Sequence, residues 1–315
     1  MKQALICGVT GQDGAYLAQH LLANGYRVSG TSRDAQIGGA RNLHRLEIAD
    51  QVSLLSMASN DFRSVLQTLD KVRPDEIYNL AGQSSVGLSF DQPVETLESH
   101  AVATLNLLES IRFMKLDTRF YSAGSSECFG DTGAAAADEN TPFRPRSPYA
   151  VAKATAFWEV ANYREAYGLF ACTGILFNHE SPLRPERFVT QKIVRTAARI
   201  GAGSAERLRL GNLDISRDWG WAPEYVQAMW KMLQMPTPED YVIATGVSHT
   251  LEEFVASAFE YYGLDWKDHV DIDASLFRPS DLKLSRANPD KAKTRLGWAA
   301  QTNMKATIRG MLEAV

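Results

Sequence analysis

Short apolar runs alternate with amphipathic stretches through the first half of the chain. Residues 4–7, Ala4-Leu5-Ile6-Cys7, have no polar position, as in a strand buried on both faces. A helical stretch over 15–22 ends at Gly25-Tyr26, and 27–31 resumes a strand. Further strands are predicted at 52–57, 76–80, 120–123 and 170–177. The helices between them fall at 61–72, at 96–114 and from Tyr149 onward. In 61–72, Phe62, Val65, Leu66 and Leu69 lie on one side. Residues 38–42 read as a loop. Strands alternating with helices predict an α/β fold with a doubly wound parallel sheet.

Beyond 177 the rhythm changes. A helix over 188–200 carries Lys192, Arg195 and Arg199, and the segments 208–214 and 217–221 read as hairpin or loop. Then come a helix at 223–232, a short strand at 241–244, a helix at 250–262 and a loop with Arg278-Pro279-Ser280-Asp281. A helix from Asp290 pauses at Leu296-Gly297-Trp298, and 304–315 is a last helix. The expected division is a dinucleotide-binding domain over 1–177 and a smaller, mixed domain over 178–315. The latter holds most of the substrate site, and some of its chain returns to the first domain.

Three glycines identify the first turn. Gly8-Val9-Thr10-Gly11-Gln12-Asp13-Gly14 joins the first strand to the first helix, a Rossmann-type β-α-β arrangement. Gly8 allows the tight turn, Gly11 lets the backbone approach a pyrophosphate, and Gly14 lets the helix lie close to the sheet. The helix amino end then offers free N–H groups to the phosphates. After the second strand stands Thr31-Ser32-Arg33-Asp34. Arg33 suits a 2′-phosphate and so NADP, while Asp34 next to it leaves NAD open.

The candidate chemistry lies at the end of the 120–123 strand and the start of the next helix. Ser125-Ser126-Glu127 follows the strand, and Tyr149 and Lys153 are four apart, on one helical face. A free phenol, with a pKa near ~10, is a poor base at neutral pH. A neighbouring ammonium is expected to lower that value and fit Tyr149 for proton transfer. Tyr-x-x-x-Lys alone is more often an ordinary surface pair; the glycine turn is what gives it weight.

Composition narrows the classes. The 315 residues are 45% hydrophobic, enough for a large core, and the net charge of −4 with no basic block argues against a nucleic-acid surface. No apolar stretch reaches the length of a membrane span, and a cytoplasmic protein is expected. Cys7, Cys128 and Cys172 lack ligand-like spacing, so core thiols are expected and no metal site.

The glycine turn with the later Tyr-x-x-x-Lys resembles the extended short-chain dehydrogenase/reductase family. Within it, Gly11-Gln12-Asp13-Gly14, Asn79-Leu80-Ala81-Gly82-Gln83-Ser84 and Ser125-Ser126-Glu127 resemble the GDP-mannose 4,6-dehydratases. So do Asn178-His179-Glu180-Ser181-Pro182, Leu210-Gly211-Asn212-Leu213-Asp214, Arg217-Asp218-Trp219-Gly220 and Leu296-Gly297-Trp298. The resemblance implies Ser125, Glu127, Tyr149 and Lys153 as catalytic residues. Tyr149 takes the proton of the sugar 4-hydroxyl, Ser125 holds the same oxygen, and Glu127 removes the C5 proton and helps the 6-hydroxyl leave. It further implies cofactor contacts at Gly8, Gly11, Gln12, Asp13, Gly14, Arg33, Leu80, Ala81, Gly82, Gln83, Ser84, Tyr149, Lys153, His179 and Arg184. Ser85, Ser126, Asn178, Val189, Lys192, Gly211, Asn212, Arg217, Arg278 and Asp281 match the nucleotide-sugar site, with Arg217 and Arg278 clamping the diphosphate. Taken alone, His179 reads as a structural histidine.

What the resemblance implies is conversion of GDP-mannose, or a related GDP-hexose, to its 4-keto-6-deoxy product, with a homodimer or homotetramer formed through helices over 101–111 and 157–167. The chain departs from the pattern at Asp34, at Glu95 where a tyrosine is common, and on the third strand, which lacks an aspartate. A reductase of GDP-4-keto-6-deoxy sugars and a non-catalytic dinucleotide sensor are the alternatives.

Overall fold

The structure, a computed structural model, describes residues 1–36 and 39–315. At its centre lies a seven-stranded sheet in the order Tyr241–Ile243, Ala171–Leu176, Arg119–Ala123, Glu76–Asn79, Gln3–Cys7, Arg27–Ser32, Val52–Ser56. All of its pairings are parallel. Strand pleating sends alternate side chains to opposite faces. Ala4 and Ile6 therefore join the cluster under the helices Gln12–Ala23 and Ala222–Gln234. Leu5 and Cys7 join the one under Phe62–Val72, Ala103–Phe113 and Pro148–Tyr167. After Val52–Ser56 the chain crosses back to place Glu76–Asn79 on the other side of Gln3–Cys7. That reversal opens a crevice at the carboxyl ends of both strands, where open α/β sheets take their ligands.

The sheet draws on both halves of the sequence. Tyr241–Ile243 pairs with Ala171–Leu176, and Ala222–Gln234 packs against Gln12–Ala23. The remainder forms a smaller body around Ile193, Trp219, Phe254 and Ile308.

Several expectations need correction. The segments 208–214 and 217–221 do not form a hairpin with each other. Leu208–Leu210 pairs in parallel with the distant Val270–Ile272. Ser216–Trp221 lies between Ser248–Thr250 and Asn178–Glu180. Of the loop read over 38–42, Gly38 lies outside the described residues, and Arg41 opens a short helix, Arg41–Arg45. Phe62 stays exposed, while Val65 and Leu69 are buried. The helix read over 96–114 begins earlier, at Pro93, and a π-helical turn over Glu98–Val102 interrupts it.

All three cysteines are buried free thiols. Among the described residues, no helix is long and apolar enough to cross a membrane, and no cluster of His, Cys, Asp and Glu side chains could hold a metal ion.

Candidate active site

Two cavities meet at the carboxyl edge of the sheet. One of about 720 Å³ is lined by Gly8, Gly11, Gln12, Gly14, Arg33 and the 80–84 turn. The other, of about 450 Å³, is lined by Ser125, Ser126, Glu127, Tyr149 and Lys153, with Asn178, Val189, Lys192, Gly211, Arg217 and Arg278 opposite. Asp13, Leu80, Gly82, Ser84 and Arg184 border both, so the cavities form one groove, each chamber large enough for a small ligand.

Backbone geometry shapes the first chamber. Gly8 has φ +84°, which favours glycine, and a Cβ on Gly14 would lie 2.3 Å from the Gly8 carbonyl oxygen. Gly11 is the N-cap of Gln12–Ala23 and no side chain caps it. The first N–H groups of the helix thus face the chamber without side-chain partners, which fits a pyrophosphate. At the far end, the exposed Arg33 guanidinium pairs with Glu95 at 3.3 Å.

His179 and Asp13 meet at the junction. Nδ1–H of His179 donates to the Phe177 carbonyl at 2.7 Å, and Nε2 lies 2.9 Å from Asp13 Oδ2. A nitrogen facing a carboxylate must donate, so the ring carries both protons. Burial opposes both charges, but each stabilises the other. The Asp13 carboxyl is held down to about 2, and the imidazole is raised above its usual range. Both ring nitrogens are thereby taken, and Tyr225 stacks on the ring at 4.5 Å. His179 borders the second chamber with both of its nitrogens engaged within the protein.

In the second chamber, the strand Arg119–Ala123 delivers Ser125, which caps the 3-10 turn Ser126–Phe129 by accepting from the Glu127 N–H at 3.3 Å. Ser147 caps Pro148–Tyr167 in the same way, at the Ala150 N–H, and so fixes Tyr149 in the first turn. The Ser125 hydroxyl lies near enough to the Tyr149 phenol to favour its ionised form, and Glu127 is close enough to raise the phenol electrostatically. All three groups border one cavity.

The expected lowering of the phenol is not found. Burial is the largest influence on Tyr149 and pushes its pKa up, against the pull of Ser125. Lys153 does not offset it, because its ammonium donates to the Ala123 carbonyl at 2.7 Å, 5.8 Å from the centre of the phenol ring. Burial pushes Lys153 itself down to about 8.

Burial also raises the Glu127 carboxyl, opposed by Arg217 and Arg278. Arg217 is nearly inaccessible and donates to Asp281 at 2.9 Å and to the Leu282 carbonyl at 2.7 Å. Arg278 is 3.6 Å from the same aspartate. Asp281 therefore stands behind the two arginines and holds them in place; it does not border the chamber, contrary to the role in substrate contact expected for it. Asn212 does not border it either; its side-chain Oδ1 accepts from the Asp214 N–H at 2.9 Å and closes a local turn. The Lys192 ammonium reaches the chamber but is bonded to the Arg209 carbonyl at 2.6 Å. Ser85 borders it while capping the short helix Val86–Asp91.

Sequence reasoning missed His100, Arg187 and Trp219, all of which border the second chamber. Arg184 and Arg187 flank the Phe188 ring at 3.9 and 5.2 Å. Two arginines shortly before an aromatic at the start of a helix were a usable signal. His100 in an otherwise ordinary helix gave none.

The sequence profile of the GDP-mannose 4,6 dehydratase family matches residues 5–311. The chain belongs to that family. An Arabidopsis thaliana member, GDP-mannose 4,6 dehydratase 1, is 46% identical over 99% of this chain and 89% of its own. The fold itself is shared more widely, with solved structures outside that family. A dTDP-glucose 4,6-dehydratase from Streptomyces venezuelae, solved with NAD bound, superposes with a TM-score of 0.88 at 21% identity, covering 99% of this chain and 97% of that one. RMD from Pseudomonas aeruginosa, complexed with NADPH, gives 0.81 at 21% identity, over 100% and 98%.

Proposed function

We propose that this chain converts GDP-mannose to GDP-4-keto-6-deoxymannose, with a nicotinamide dinucleotide in the glycine-lined chamber and the sugar in the chamber of Tyr149 and Glu127. The observation that carries the assignment is the meeting of a phenol, a hydroxyl and a carboxyl around one cavity. Reduction alone requires no carboxyl base, whereas water loss does.

The uncapped helix at Gly11 and the close approach at Gly14 fit the dinucleotide, which when bound takes hydride from C4 and returns it to C6. Arg33 suits a 2′-phosphate and so NADP; its pairing with Glu95 keeps NAD in view. Tyr149 accepts the 4-hydroxyl proton, and the hydroxyl of Ser125 holds the same oxygen. The raised phenol makes a strong base once ionised, and Ser125 supports that ionised form. The C4 ketone then acidifies C5–H. Glu127, its basicity raised by burial, removes that proton and passes it to the departing 6-hydroxyl as water, and once hydride reaches C6 the carbon at C5 takes a proton from solvent. Arg217 and Arg278 bring two guanidinium groups to one wall, suited to a diphosphate.

Exposed apolar side chains on two neighbouring helices, Leu105 and Phe113 on one and Val151 and Trp158 on the other, support pairing with a second copy. Incubating pure protein with GDP-mannose and no added reductant tests the assignment. The 4-keto product should accumulate; a reductase or a silent sensor would form none.

A further inference from the structure

We propose that His100 is a positioning residue that ties the Tyr149 phenol to the wall of the dinucleotide chamber, its two contacts acting on separate steps. The proposal rests on the role given to Tyr149 above.

His100 is buried in the π-helical turn Glu98–Val102, the one irregular stretch between Pro93 and Phe113. π turns are rare and occur often at functional sites. This one carries the imidazole to the junction of the two chambers. There its Nε2–H donates to the Gln83 carbonyl at 2.7 Å, while its ring meets the Tyr149 ring edge-on, centroids 5.3 Å apart and planes at 84°. Gly82 completes the seat. Its φ is +132°, and a Cβ there would lie 2.2 Å from His100 Cε1. The Gly82-Gln83 turn is bound to the same helix twice more, by the Gln83 N–H to Ser99 Oγ at 3.2 Å and by Gln83 Nε2 to Thr96 Oγ1 at 3.3 Å. Burial and the nearby Lys153 cation keep the imidazole neutral, so its single N–H is committed to the carbonyl. Neither contact of His100 requires the other, and each serves a different chamber.

Two substitutions separate them. His100→Phe keeps an aromatic edge on Tyr149 and leaves the Gln83 carbonyl without its donor. His100→Gln keeps a donor of similar reach and removes the ring. Cofactor affinity is read by fluorescence titration with NADH and NADPH. Chemistry is read as kcat at saturating cofactor and as the deuterium isotope effect of GDP-mannose labelled at C4. His100→Phe should weaken the better-bound cofactor about tenfold with kcat nearly kept. His100→Gln should keep that affinity, lower kcat about tenfold or more and enlarge the isotope effect. If only one variant folds, its half of the pattern decides. Parent values in both readouts, or equal losses in both, would overturn the proposal. Tyr149→Phe serves as the control: full turnover there would defeat the acid–base reading itself and leave the cofactor arm of the His100 experiment standing.

Discussion

Glu127→Gln isolates one step of the proposed reaction. The amide has nearly the volume of the carboxyl, so no cavity opens at this partly buried position. Arg217 keeps Asp281 and the carbonyls of Ser216 and Leu282 as acceptors, so its charge remains partnered and the fold should hold. What disappears is a base. General acid–base catalysis contributes about 10²- to 10⁴-fold, or roughly 3–5 kcal/mol of barrier. Water loss should slow by that factor. Oxidation at C4 depends on Tyr149 and Ser125 and should persist. In the parent, C5 should exchange with deuterated solvent in the sugar NMR signal; in the variant it should not. Nicotinamide absorbance should rise, because reduced cofactor accumulates ahead of the blocked step. Dehydration at the parental rate would refute the assignment, and so would loss of the absorbance change along with turnover, since the carboxyl would then serve the oxidation.

Three further outcomes follow from the geometry. Gly14→Ala places a methyl group 2.3 Å from the Gly8 oxygen and 2.7 Å from Val9 Cα, both backbone atoms that cannot swing aside. It should cost roughly 1–3 kcal/mol in urea denaturation and weaken dinucleotide binding, and unchanged values for both would contradict the close packing. The Asp13–His179 pair predicts a pH window. The Asp13 carboxyl is depressed to about 2, so its contribution is complete above its unfolded value near ~4 and is lost as pH falls toward 2. The His179 ring is raised, so its contribution is complete below its unfolded value near ~6.5 and fades as pH climbs past the folded one. Asp13→Asn should therefore cost roughly 2–3 kcal/mol between about pH 4 and 6.5, with the gap closing on the acid side; a gap independent of pH would rule the ion pair out. Trp158, 62% exposed beside Phe157, should serve self-association, so Trp158→Glu is expected to shift sedimentation toward monomer, and an unshifted boundary would remove that face from consideration.

Local chemistry made much of this legible. The glycine turn, the strand at 4–7 and the Tyr149 helix are specified by neighbours within a few residues, and the observed elements follow them. The groove brings together Ser125, Glu127 and Tyr149, although more than twenty residues separate the first from the last. What pattern could not supply was set by distant partners. Leu208–Leu210 is a strand only because Val270–Ile272 lies alongside it. Asp281 is drawn behind Arg217 by a contact across 64 positions. Lys153 points at Ala123 because of how the helix lies on the sheet, and no spacing rule distinguishes that from a lysine facing the phenol. Burial itself reverses the phenol's shift, and sequence proximity does not measure burial.

The strand Tyr241–Ile243 has a consequence for biosynthesis. Every residue of its neighbour Ala171–Leu176 is buried. Until the ribosome has delivered the segment that flanks it, that neighbour is an open, largely apolar border, the kind that seeks hydrogen bonds from other chains. A fragment cut at residue 177 should accordingly precipitate instead of yielding a free-standing nucleotide binder. The nascent polypeptide, for its part, gains most from chaperone cover while residues 177 to 240 are being made.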